Sequence, residues 1–128
     1  MLGDQAGICG DAALTFAAIG MRFGLDVRSV QFYYGPDGSW NHIADEISYD
    51  GGWHYFDPTF GVYYESAGNV LAIADARAAA DPGSLLQQDG TLFWSTVVDQ
   101  AGDTELSDLT FATDPATDVE IGQQPFLG

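Results

Sequence analysis

The chain has 128 residues, of which 46% are hydrophobic and 13% aromatic, a composition typical of one packed domain over 1–128. Nineteen acidic residues face three arginines and no lysine, which gives a formal net charge of −16. Such a charge repels nucleic acid and anionic membranes, and no apolar run approaches the roughly 18 residues of a membrane span. We therefore expect a soluble protein with an acidic surface, no signal peptide and neither of these partners; compartment and oligomeric state stay open.

The first predicted element is a helix from Cys9 to Phe23, ended by Gly24. It is apolar on nearly all sides, which is typical of a buried central helix. Gly7 and Gly10 bracket Cys9 and allow a sharp turn there, so the sequence places Cys9 at the helix N-terminus. A lone cysteine is more often a small buried hydrophobe than a nucleophile, and it forms no internal disulfide. Its role therefore depends on its neighbours.

Antiparallel strands are predicted after this helix. Val27, Phe32 and similar residues are typical of strands, and turn residues separate the strand-like runs. The predicted elements are strands at Asp26–Tyr34, Trp40–Tyr49 and Trp53–Pro58, a helix at Val70–Ala80 and a strand at Leu92–Val98. Residues 99–128 form an acidic polar segment whose structure the sequence leaves open. The fold class is therefore α+β, with the N-terminal helix packed on an antiparallel sheet.

Hairpin geometry relates His42 to Asp57. If Asp50-Gly51 is a two-residue loop, Tyr49 faces Gly52, and His42 and Asp57 are diagonal neighbours on one face, roughly 7 to 8 Å apart between backbones. A Gly51-Gly52 loop also keeps them on one face, whereas a three-residue loop would separate them. Because Asp-Gly is a strong two-residue hairpin signal, we expect the two side chains to meet.

These residue types suit thiol chemistry. A free thiol is mostly protonated at neutral pH, and a helix N-terminus together with an imidazolium favours the nucleophilic thiolate. The histidine then returns a proton to the leaving group, provided that a carboxylate holds its ring in one orientation. Cys9, His42 and Asp57 are accordingly a candidate nucleophile, base and orienting acid.

Four segments in order resemble the core of the transglutaminase-like superfamily: 7–13 (Gly-Ile-Cys-Gly-Asp-Ala-Ala), 24–30 (Gly-Leu-Asp-Val-Arg-Ser-Val), 42–47, which begins with the histidine, and 53–59 (Trp-His-Tyr-Phe-Asp-Pro-Thr). The resemblance covers residues 7–64 as a catalytic core. It implies a papain-like α+β fold, acyl chemistry on amides through a thioester and the Cys9-His42-Asp57 triad. We expect no metal or other cofactor. Family members include protein cross-linkers, proteases, other amide hydrolases and some that have lost activity.

Departures from the family pattern lie on both sides of the core. Many members carry Ala-Trp after the histidine, where this chain has Ile43 and Ala44, while the acidic position further on is kept as Glu46. Family members usually have helices upstream of the cysteine, so we expect the chain to be truncated at its N-terminus. An oxyanion hole would use the backbone N–H of Cys9, with Gln5 as a second candidate donor.

Aromatic residues are candidates for a substrate groove beside the triad. Trp40 begins the strand that carries His42, and Tyr63 and Tyr64 follow the Asp-Pro-Thr segment. The alternative, which the sequence favours, is that the aromatics after this segment close the core.

Other sites and functions have weaker support. A metal site from Cys9, His42 and His54 is disfavoured because His54 faces away from the Asp57 side, as expected of a strand-surface or core-edge histidine. Acidic residues at 99, 103, 105 and 108 are better explained as a solvated face than as a calcium site.

Two functions remain. The first is thiol-dependent hydrolysis or amine transfer on a protein or peptide substrate, and the acidic charge favours cationic or amine-bearing partners. The alternative is a binding or structural module that keeps the fold without turnover.

Overall fold

The computed structural model describes residues 2–35, 37–88 and 109–125, and for residues 2–9, 109–110 and 123–125 it describes the backbone alone. The α+β class is confirmed, with one long helix packed on antiparallel strands. The elements are α1 (Leu2–Arg22), β1 (Asp26–Tyr34), β2 (Trp40–Tyr49), β3 (Gly52–Phe56), β4 (Val62–Ser66), β5 (Asn69–Val70), α2 (Ile73–Ala78), β6 (Leu86–Gln88) and β7 (Asp118–Pro125). Short 3₁₀ turns occupy Pro82–Leu85 and Leu109–Ala112. The predicted strand Leu92–Val98 and the acidic residues at 99, 103, 105 and 108 lie outside the described residues.

The main sheet has the order β3-β2-β1-β7, and a smaller sheet has the order β5-β4-β6. Strands β2 and β3 form the expected hairpin, in which Tyr49 pairs with Gly52. Asp50 and Gly51 have φ values of 51° and 81°, so both adopt the left-handed conformation that a type I′ turn requires. The two-residue Asp50-Gly51 loop is therefore confirmed.

The two faces of the main sheet carry separate cores. Val30, Phe32 and Ala44 point to one face and join a large aromatic cluster. Val27 and Ile47 point to the other face, where Ala17 of α1 packs on them. Side chains alternate along a strand, so His42 and Ala44 share a face while α1 covers the opposite one.

Helix α1 starts earlier than predicted. It begins at Leu2 rather than at Cys9, so the glycines around Cys9 lie inside the helix instead of opening it. Its end agrees with the sequence, because Gly24 (φ 80°) donates its N–H to Met21 and the N–H of Leu25 reaches the carbonyl of Gly20, a Schellman cap. In the described part of the chain, no helix combines the length and apolar character needed to cross a membrane.

The prediction that α1 is buried all round is also wrong. Ala13, Ala17 and Gly20 face the sheet, and a Cβ on Gly20 would lie 3.0 Å from Val27 Cγ2. The outward face is open, with Leu14, Ile19 and Phe23 exposed. One sheet covers one side of a helix, and no described element covers the other side.

Helix α2 is joined to the sheet by a buried carboxylate. Glu46 of β2 accepts two hydrogen bonds from the Arg28 guanidinium on Oε1, at 2.9 Å from Nε and 2.8 Å from Nη2. Its Oε2 accepts the N–H of Ile73 at 2.8 Å, which satisfies a donor in the first turn of α2. The helix is shorter than the predicted Val70–Ala80, because Val70 belongs to β5 and pairs there with Glu65 of β4.

Candidate functional site

The hairpin brings His42 and Asp57 together. His42 Nε2 lies 2.6 Å from Asp57 Oδ2, and the two residues are 3% and 2% exposed. Strand β2 supplies the histidine, and the aspartate follows β3 at the point where Asp57 forms an isolated bridge with Val62. The contact that strand alternation predicts is therefore present, as a short hydrogen bond between two buried side chains.

The turn after Asp57 fixes the carboxylate. Asp57 Oδ1 accepts the backbone N–H of Thr59 at 3.0 Å and of Phe60 at 3.3 Å. The Asp57 backbone carbonyl accepts the N–H of Gly61 at 2.9 Å, and Gly61 adopts a positive φ of 66°. This is an Asx-type turn, so the Asp-Pro-Thr segment has a local structural purpose: one carboxylate oxygen anchors the loop while the other faces the imidazole.

Aromatic rings enclose the His42 imidazole. Its ring centroid lies 5.2 Å from that of Phe60 and 5.2 Å from that of Phe111, with Phe60 stacked and Phe111 edge-on. Phe32, the cross-strand neighbour of His42, stacks at 6.3 Å. These apolar rings lower the local dielectric constant, which would strengthen the attraction between an imidazolium and a carboxylate.

Tyr55 is a further residue of the site that the sequence did not single out. Its hydroxyl lies 3.5 Å from Asp57 Oδ2, and its side chain is fully buried. Burial and then the Asp57 charge raise the pKa of Tyr55 well above its usual value, so the phenol stays neutral and donates. Its position two residues before Asp57, on the same face, was the available signal.

Asp45 is the second unexpected group. It lies on the face that α1 covers, between cross-strand neighbours Ser29 and Phe56, and is 0% exposed. Neither of its carboxylate oxygens has a hydrogen-bond partner. Burial and then the nearby Asp57 charge raise the pKa of Asp45 to about 8. Near neutral pH this carboxyl is therefore mostly protonated, because ionisation would place an unpaired charge in the interior.

Cys9 and Gln5 both lie on α1, and their side chains are outside the described part of the structure. The prediction that Cys9 stands at a helix N-terminus is wrong, because seven helical residues precede it. Inside an α-helix the N–H of Cys9 is directed at the carbonyl four residues earlier, that of Gln5. The Cys9 N–H is thus not a free oxyanion donor, and the helix-terminus contribution to thiolate formation is lost with it.

The described half of α1 and the His42 ring lie on opposite faces of the sheet. Ala17 contacts the Val27 and Ile47 cluster, whereas His42 is within the cluster around Phe32. Trp40, the first residue of β2, lies two residues before His42.

The structure does not bring the three candidate groove residues together. Trp40 is 42% exposed and packs edge-on against Tyr34. Tyr64 is 1% exposed and belongs to the core, where it contacts Tyr55. Tyr63 packs against Phe56 at 6.1 Å, on the side away from the Asp57 carboxylate. Of the three, Trp40 alone stays a candidate for substrate contact, and the core alternative is confirmed for Tyr64.

His54 lies away from the pair, as predicted. Its Nδ1 is 2.6 Å from the carbonyl oxygen of Val70 and its Nε2 is 2.8 Å from that of Tyr49, whose ring it stacks on at 3.6 Å. These contacts join β3 to β5 and to the end of β2, which is a structural role. Within the described ranges, no three histidine, cysteine, aspartate or glutamate residues are grouped so that they could hold a metal ion.

The comparisons with known proteins gave no family assignment: no protein-family model, no curated protein and no solved structure matches this chain.

Proposed function

We propose that this chain carries out thiol-dependent acyl transfer on amide substrates, with Cys9 as nucleophile, His42 as base and Asp57 as the orienting carboxylate. The observation that carries the proposal is the buried His42–Asp57 hydrogen bond of 2.6 Å. The order of the four sequence segments and their resemblance to the transglutaminase-like core support it.

In this proposal the two ring nitrogens of His42 have separate roles. Asp57 engages Nε2, so Nδ1 is the atom that exchanges a proton with the thiol. The two backbone N–H bonds to Asp57 Oδ1 keep the carboxylate from rotating. A fixed carboxylate holds the ring in one tautomer and stabilises the imidazolium that forms during the reaction.

The reaction then proceeds in two halves. The thiol proton moves to His42 Nδ1 as sulfur attacks the amide carbonyl carbon, and the imidazolium gives that proton to the departing amine as the C–N bond breaks. The product is a thioester on Cys9. Water or a second amine attacks the thioester, loses its proton to His42, and releases an acid or a new amide while the thiol is regenerated. The net charge of −16 favours amine-bearing or cationic peptides as substrates.

A different observation favours a second candidate function, that of a non-catalytic binding or structural module. His42 is 3% exposed and is enclosed by Phe60 and Phe111. The pair would then serve to hold β2, β3 and the Asp57 turn in register, as buried ion pairs do in cores without catalysis.

The pH dependence of thiol alkylation separates the two functions. In the wild type, we expect iodoacetamide to modify Cys9 at low pH as well, because the imidazolium stabilises the thiolate there. The His42→Gln variant should lose this low-pH modification. His54→Gln is the matched control, since it removes a histidine outside the pair, and it should keep the wild-type profile. If Cys9 titrates near pH 8.5 in all three proteins, as an unperturbed thiol does, the enzyme proposal is wrong and the structural module stands.

A further inference from the structure

Helix α1 presents an apolar outer face. Leu14, Ile19 and Phe23 are 42%, 55% and 79% exposed, although each is a large hydrophobic side chain. Together with smaller neighbours they line an open groove of about 610 Å³ along the helix. Among the described residues, those that line it are Leu14, Thr15, Ala18, Ile19, Arg22 and Phe23.

The arrangement of this face points to an interaction surface. Asp11, Thr15, Ala18 and Arg22 follow one another at steps of four, three and four residues, which places them on a single stripe of the helix. Leu14 and Ile19 flank the stripe. Contiguous exposed apolar residues bounded by charges are typical of surfaces that bind another protein, whereas isolated exposed apolar residues need no explanation.

The charges on the stripe are self-complementary. Asp11 and Arg22 are both exposed and stand at opposite ends, roughly 16 Å apart along the axis. A second α1 laid antiparallel places its Arg22 opposite Asp11 and its Asp11 opposite Arg22. The same register sets Thr15 opposite Ala18 twice at the centre, where small side chains allow close approach. A parallel arrangement would instead oppose like charges at both ends.

We propose that the outer face of α1 pairs with the same face of a second copy of this chain, antiparallel, about a twofold axis between Thr15 and Ala18. An isologous contact of this kind uses one surface twice and closes without forming a fibre. Leu14 and Ile19 supply the apolar area, and the two Asp11–Arg22 contacts set the direction. The pairing does not depend on the proposed thiol chemistry.

The overall charge gives the dimer a recognisable salt dependence. Each copy carries a formal charge of −16, so two copies repel one another over long range. Salt screens this repulsion more than it weakens apolar contact. The dimer should therefore tighten as salt is raised from about 0.05 M to about 0.5 M, because the Debye length falls from more than about 10 Å to a few Å.

Sedimentation velocity on the full chain with charge reversals at the two ends tests the pairing. Arg22→Glu opposes two acids at each end, and Asp11→Lys opposes two bases, so each variant alone should dimerise roughly tenfold more weakly than the wild type. An equimolar mixture of the two variants should recover the dimer, since each end then joins opposite charges. Both positions are exposed, and circular dichroism checks that the fold is kept.

One matched control and the outcomes that would contradict the proposal complete the test. Asp118→Lys makes the same charge change as Asp11→Lys at an exposed position on β7, and it should dimerise as the wild type does. A wild type that stays monomeric at every salt concentration overturns the proposal, as would occur if another part of the chain or a different protein covers α1. A dimer that is indifferent to both reversals, or a mixture that fails to recover it, overturns it as well.

Discussion

The buried carboxyl of Asp45 gives the sharpest stability prediction. Its side chain is 0% exposed, and neither oxygen has a hydrogen-bond partner. Burial and the Asp57 charge raise the pKa of Asp45 from 3.8 to about 8. The change to make is Asp45→Asn, which keeps the shape and removes the ionisation.

The magnitude follows from proton linkage. Below pH 3.8 the Asp45 carboxyl is protonated in both the folded and the unfolded chain, so it contributes no pH dependence. Between pH 3.8 and about 8 the folded chain retains a proton that the unfolded chain has lost, which lowers the free energy of unfolding by slightly more than ~1 kcal/mol per pH unit. The accumulated cost reaches on the order of 5 kcal/mol at pH 8 as an upper bound.

The free energy of unfolding of the Asp45→Asn protein should therefore increase relative to that of the wild type as the pH rises. Near pH 4 the wild-type carboxyl is protonated, and it and the amide are both buried without a partner, so the two proteins should have similar free energies of unfolding. By pH 8 the variant should be the more stable of the two. Urea unfolding at half-unit pH steps measures the difference, with Asp118→Asn as an exposed carboxylate control that shows a small, nearly flat difference. A flat difference for Asp45→Asn between pH 4 and 8 would refute the reasoning.

Four further substitutions test the packing and the hairpin turn by urea unfolding. Glu46→Ala leaves the Arg28 guanidinium without its buried acceptor and should cost about 3 to 5 kcal/mol; a loss under ~1 kcal/mol would contradict the contacts described. Gly51→Val forces a β-branched residue to φ 81° and should cost about 1 to 3 kcal/mol, whereas Asp50→Asn should change stability by less than ~0.5 kcal/mol, since asparagine suits the same turn. Phe111→Ala removes a ring from beside His42 and should cost about 3 to 5 kcal/mol, and an unchanged midpoint would show that this ring does not close the core.

The sequence predicted the strands and the hairpin because their determinants are local. Strands β1 and β2 have the predicted bounds, and the Asp50-Gly51 turn sets the register that unites His42 with Asp57. Strand alternation and turn type depend on a few neighbouring residues, so the sequence alone predicts them well.

The start of α1 was mispredicted for a physical reason. Gly7 and Gly10 lower helix propensity by about 1 kcal/mol each relative to alanine, which is small compared with the cooperativity of a helix that is already nucleated. The helix therefore runs through both glycines, from Leu2 to Arg22. A glycine beside Cys9 weakens the helix but does not end it.

The long-range contacts were not predicted from the sequence. Phe111 packs on His42 from a segment far along the chain, and no local pattern points to it. Asp45 looked like any acidic residue of an acidic protein, and it became exceptional because α1 and neighbouring strands exclude water from it. Burial of a particular side chain is decided by which elements pack together, and single-sequence patterns do not specify that arrangement.

Trapping of the acyl-enzyme tests the proposed function most directly. The protein is incubated at pH 7 with p-nitrophenyl acetate, and intact mass followed by peptide mapping locates any acetyl group. We predict a hydroxylamine-sensitive acetyl thioester on Cys9 that is absent in Cys9→Ala and forms roughly 10²-fold more slowly in His42→Gln, because the base is lost. No adduct on Cys9, or an adduct formed at the same rate without His42, would contradict the account.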